Sequence, residues 1–101
     1  MNKFMMQQAQ KLQQQLLKAQ EELANMTVEA SAGGGAVKVT MNGQQQIISV
    51  KIAPEVVNPE DIEMLEDMVL SAVKEAQTMA QDAAAKKMGG LTGGLKIPGL
   101  T

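Results

Sequence analysis

Apolar residues near the start of the chain fall at Met5, Ala9, Leu12, Leu16, Ala19, Leu23 and Met26, at intervals of 4, 3, 4, 3, 4 and 3. That spacing puts a narrow heptad-type stripe along one side of an α-helix, not the broad apolar face of a helix lying on a core. Gln, Lys and Glu fill the intervening positions and are tolerable helix formers. The stripe passes unbroken through the run Gln13, Gln14, Gln15, so a helix is predicted over residues 2–25. A second stripe runs through Ile62, Leu65, Val69, Ala72, Val73, Ala76, Met79, Ala80 and Ala83. It predicts a helix over residues 59–88. Asn58 is the expected cap, Pro59 suits the first helical position, and Glu60 and Asp61 complement the positive end of the dipole. Lys86 and Lys87 fall in the expected last turn, and Gly89 is the expected stop.

These helices are roughly 35 and 45 Å long at about 1.5 Å per residue. A compact domain of this size has a radius of gyration of only about 13 Å. Both stripes therefore overhang any sheet the remaining chain can build, and a second copy is the simplest surface to cover them. A homodimer is expected.

Between the helices lie three short alternating runs. Val28, Ala30 and Ala32 alternate with Thr27, Glu29 and Ser31. Val37, Val39 and Met41 alternate with Lys38 and Thr40, and Ile48, Val50 and Ile52 with Ser49 and Lys51. Turn residues separate them, so an antiparallel meander follows. Setting Val39 opposite Ile48 and Val37 opposite Val50 keeps apolar against apolar. That register puts Gly43 at the first central position of a two-residue turn, where positive φ is needed. The Gly33–Gly34–Gly35 run precedes a strand and no G-K-[ST] follows it, so it is expected to be a hairpin loop and not a phosphate cradle. The predicted fold is α+β, in the order α-β-β-β-α. Residues 1–88 form a single dimerising domain, and residues 89–101 form a Gly-rich, flexible tail.

The chain has 101 residues with no cysteine, histidine, arginine, tryptophan or tyrosine, and Phe4 is its one aromatic. Thiol chemistry, Cys/His metal sites and a histidine base are excluded. No serine sits in a G-x-S-x-G setting, and the acids at Glu60, Asp61, Glu63, Glu66 and Asp67 read as first-turn acids and a solvated face. No enzymatic activity, metal, cofactor or small-molecule substrate is expected. Most internal methionines lie at or beside seam positions and read as core filling. There is no apolar run long enough to span a membrane and no signal-peptide h-region, so a soluble, intracellular protein is expected.

The net charge of −2 is unevenly spread. Residues 1–20 carry Lys3, Lys11 and Lys18 and no acid. All eleven acids lie in residues 21–82, and residues 83–101 carry Lys86, Lys87 and Lys96 and again no acid. Basic ends flank an acidic middle. An acidic sheet repels DNA while basic helix tips attract it.

The segments "VEASAGGGAVKVTMNGQQQIISVKIAPEVV" at 28–57 and "DIEMLEDMVLSAVKEA" at 61–76, with the close "KMGGLTGGLKIPGL", resemble the YbaB/EbfC family of nucleoid-associated proteins. The resemblance covers nearly the whole chain, with the first helix matched by pattern alone. It implies a bacterial protein of the cytoplasm and nucleoid that binds double-stranded DNA as a homodimer and influences nucleoid organisation and gene expression. It also implies a tweezer-like shape in which paired helices protrude from a central sheet, with DNA contacts on those helices. Here the helices offer Lys3, Lys11, Lys18, Lys86 and Lys87. With no arginine and no stacking aromatic pair, contact rests on lysine and backbone groups, which position DNA without reading sequence. The competing reading is a protein-interaction scaffold whose seams or Leu-bearing tail dock on a partner such as a DNA-repair factor.

Overall fold

The computed structural model of the chain describes residues 2–91. Helix α1 spans Lys3–Asn25, strands β1, β2 and β3 span Thr27–Ala32, Val37–Asn42 and Ile47–Ile52, and helix α2 spans Ile62–Leu91. A single 3₁₀ turn, Pro54–Val56, separates β3 from α2. The fold is the α-β-β-β-α order expected, with an open antiparallel sheet in the order β1-β2-β3. The molecule is elongated, 69 × 27 × 17 Å with a radius of gyration of 19.2 Å.

Asn2 caps α1, its side chain accepting from the Met5 amide at 2.8 Å. The start of α2 differs from expectation. Asn58–Asp61 forms a separate turn, closed by the Asp61 amide donating to the Asn58 carbonyl at 2.9 Å. Pro59 takes its favoured second place in that turn. Asp61 is the cap, accepting from the Met64 amide at 3.2 Å. At the other end the helix runs through Gly89 to Leu91, because one glycine costs only about 1 kcal/mol in a helix already nucleated. The tail's remaining residues, 92–101, lie outside the described residues.

The core is one face of the sheet under α2. Val37, Val39 and Met41 of β2 are fully buried, with Ala30 of β1 and Ala72, Ala76 and Ala80 of α2. Three alanines on one side of α2 let its backbone approach β1 and β2 closely, while Leu65, Met68, Val69 and Val73 pack around them.

The β2–β3 register is two residues from the one expected. Val39 faces Val50 and Val37 faces Ile52. Between Thr40 and Met41 the ladder shifts, leaving Ile48 unpaired between Ser49 and Ile47. The bulge arises because the connection is not a two-residue turn. Asn42 is buried and organises a longer loop, its Oδ1 accepting from the amides of Gln44 and Gln46, both at 2.9 Å. Its Nδ2 donates to Gln46 Oε1 at 2.9 Å and to the Ala24 carbonyl at 3.3 Å. The positive φ falls on Gln45, not on Gly43. Gly43 serves another purpose: its amide donates to the carbonyls of Leu23 at 2.8 Å and Met26 at 3.0 Å. Both reading frames keep apolar opposite apolar, so the alternation alone does not choose between them. The β1–β2 connection is the hairpin loop predicted, with Gly33, Gly34 and Gly35 all at positive φ.

Candidate nucleic-acid interface

The sheet ends where α1 arrives and α2 leaves. Met68 of α2 lies over Gly33 at one end of the sheet, and Gln81 reaches Gln45 at the other. Beyond Gln81 the helix continues off the sheet and meets α1, which runs antiparallel to it. Ala19 and Leu23 are buried there, and Lys87 forms an ion pair with Glu22.

Lys3, Lys11 and Lys18 are exposed along α1. Fifteen residues at about 1.5 Å each separate the first from the last, a row roughly 22 Å long. Lys11 and Lys18 are one heptad apart and share one line, with Lys3 turned about 60–80° round the helix from it. All three point away from the seam of Met5, Leu12 and Leu16. No acid occurs before Glu21, so Lys3 and Lys11 stand clear of negative charge, whereas Lys18 feels the Glu22 carboxylate four residues on. Lys86 is exposed where α2 projects from the sheet. Among the described residues, none of these four has an ion-pair partner.

Lys87 stands differently from the expectation. Its ammonium is committed to Glu22 across the α1–α2 contact. The hydrogen bond from Lys87 and its charge hold the Glu22 carboxyl below the ordinary glutamate range, and Lys18 lowers it further. Lys87 is the paired partner of that carboxylate, and Lys18 acts on it only through its charge. Lys87 works as a tie between helices, a role with no sequence signal because Glu22 lies far away in the chain. Lys38 and Lys51 lie on the sheet. The register sets them directly opposite each other and both are exposed on the outer sheet face.

A second surface has no counterpart in the lysine pattern. Helix α2 covers β1 and β2 but not β3. Val50 and Ile52, on the α2 side of the sheet, are 44% and 39% exposed, and Leu70 is 54% exposed. Ile52, Leu65, Glu66, Val69, Leu70 and Val73 line an open groove of about 450 Å³. Beside it runs the free edge of β3, a row of unpaired backbone groups. Period-2 alternation marks β3 as half buried, but only the placement of α2 reveals that its apolar side is bare.

No group of three or more acidic residues among the described ones is arranged to hold a metal ion. No helix among them is long and apolar enough to cross a membrane.

Residues 1–95 match the model of the YbaB/EbfC DNA-binding family. A nucleoid-associated protein of Pelotomaculum thermopropionicum is 60% identical over 96 residues, covering 95% of this chain and 91% of that protein. Another from Desulforamulus reducens is 58% identical over 100 residues, covering 99% and 94%. In structure, the chain is similar to the crystal structure of an uncharacterized protein from Helicobacter pylori. The TM-score is 0.65 at 18% identity, over 77% of this chain and 90% of that one.

Proposed function

This chain belongs to the YbaB/EbfC DNA-binding family, and from that premise we propose that it clasps double-stranded DNA as a homodimer, mainly through the phosphate backbone. It is a nucleoid-associated DNA-binding protein and not an enzyme. Its place is the bacterial cytoplasm, on the nucleoid, where backbone binding influences DNA organisation and gene expression. The observation that carries this reading is the exposed lysine row Lys3, Lys11 and Lys18 on the side of α1 that no other element covers. Lys86 extends the basic surface onto α2. Lys87 contributes through its tie to Glu22, which fixes α1 against α2.

Lysines on a helix face act as point charges, matching phosphates without base readout. A dimer presents the row twice. The dimer is supported by the bare side of β3 and the groove beside it, an apolar surface next to an unpaired strand edge. Residues 1–88 are the working domain in this reading, and the Gly-rich segment after it begins inside α2, which runs on to Leu91.

The test is a salt titration of duplex binding. Each neutralised phosphate contributes about −0.9 to the slope of log K against log salt. Replacing Lys11 and Lys18 by Gln removes four charges from a dimer and flattens the slope by up to about 3.6. Binding to unrelated duplexes weakens alike. Lys38→Gln with Lys51→Gln is the control. If the sheet pair abolishes binding and the helix pair does nothing, DNA lies on the sheet and the helix reading fails. If binding to duplex is absent or insensitive to salt, the scaffold reading, supported by the exposed groove, replaces it.

A further inference from the structure

The stripe that opens the sequence is only partly used within one chain. Ala19 and Leu23 are buried against the body, and Leu16 is half buried. The same stripe continues outward through Leu12, Ala9 and Met5, all exposed. Counting outward from the Glu22–Lys87 pair, Leu91 of α2 comes level with Lys18. Residues 3–17 of α1 therefore project about 22 Å beyond the described end of α2.

The width of the stripe says what fits it. Two apolar positions in seven form a seam for another helix, whereas a bilayer or a sheet takes a broader face. The residues flanking the seam are Met6, Gln8, Gln13 and Gln15, without charge, so two identical seams meet without like-charge repulsion. The lysines occupy the outer heptad positions and stay accessible when the seam is covered. We propose that the outer half of α1 docks seam to seam on the α1 arm of a second copy, as a self-interface separate from the β3 groove. A chain with two distinct two-fold contacts assembles beyond a dimer. Joined arms carry their outward lysine rows into one body, which suits it to hold two DNA segments together.

A seam this short associates weakly, at about 100 µM or above. The experiment uses the full chain without DNA, so it does not depend on the DNA reading. Sedimentation velocity of the parent is expected to show added mass at high concentration. Leu12→Glu is expected to remove that step while leaving helical content and low-concentration mass unchanged. The chain has no cysteine, so single replacements report the contact directly. Leu12→Cys cross-links between copies on oxidation, and Gln14→Cys, on the opposite face, does so at least tenfold more slowly. The proposal is overturned by a step that survives Leu12→Glu, or by equal cross-linking at both sites. It is also overturned if Leu12→Glu falls to monomer mass at low concentration, which makes the seam the dimer contact itself. Assembly seen only after removal of residues 92–101 overturns it too, since the tail then covers the seam. Loss of the low-concentration dimer in Leu70→Lys, with arm cross-linking retained, bears on the groove and leaves the arm contact standing.

Discussion

Gly43→Ala separates two uses of glycine that a sequence cannot tell apart. Gly43 is not at positive φ, so alanine meets no backbone penalty there, and elsewhere the exchange stabilises by about 0.4–1 kcal/mol. At this position the new Cβ lies 2.8 Å from the Leu23 carbonyl oxygen and 3.2 Å from Leu23 Cα. Both atoms are backbone and cannot rotate away, so α1 must move by roughly 0.6 Å to restore ordinary contact near 3.4 Å. The same oxygen accepts the Gly43 amide at 2.8 Å, and that bond stretches as α1 moves. Overpacking costs about 1–3 kcal/mol and a weakened hydrogen bond about 1 kcal/mol. After the entropic gain, the net loss is about 1–3.5 kcal/mol. Gly34→Ala is the counterpart: at φ +68 with nothing within 4 Å, it costs about 1–2 kcal/mol from strain alone. Urea unfolding at one fixed chain concentration measures both, with the slope required to stay constant. A Gly43→Ala protein within 0.5 kcal/mol of the parent refutes the close-approach argument.

Asn42→Ala leaves the Gln44 and Gln46 amides and the Ala24 carbonyl without their partner, and is expected to cost about 2–3 kcal/mol in the same urea assay. The Glu22 carboxyl, followed by NMR, titrates below the ordinary glutamate range in the parent and returns towards it in Lys87→Met. Because its folded pKa is depressed, the pair's contribution is present above the unfolded value and is lost as pH falls through the folded one. Loosening of the α1–α2 contact is therefore expected on the acid side only, and identical midpoints in the two proteins would contradict the tie. Leu70→Lys puts a charge in the open groove beside β3. It is expected to lower the sedimentation-equilibrium mass from two chains to one at micromolar concentration while far-UV circular dichroism stays helical.

Periodicity by itself determined the number, kind and order of the elements. A 3.5-residue seam and a two-residue alternation depend only on the geometry of one segment, so helices and strands were legible without knowing what lay against them. The glycine loop was legible for the same reason, because three glycines before a strand lack the helix amides a phosphate needs. The lysine row on α1 was legible too, since spacing along one helix fixes its line.

What involved two segments was decided by the tertiary structure. A register shift of two residues keeps every side chain on its own face, so alternation did not choose between Val39 opposite Ile48 and Val39 opposite Val50. The choice fell to Asn42, whose side chain shapes the 44–46 loop through local hydrogen bonds and whose bond to the Ala24 carbonyl exists only once α1 has docked. That docking also determined why residue 43 is glycine. Lys86 and Lys87 are neighbours in sequence and equal in charge, yet one faces solvent and the other is tied to Glu22. A charge is a property of the residue, but its availability to a phosphate depends on which carboxylate the fold brings beside it.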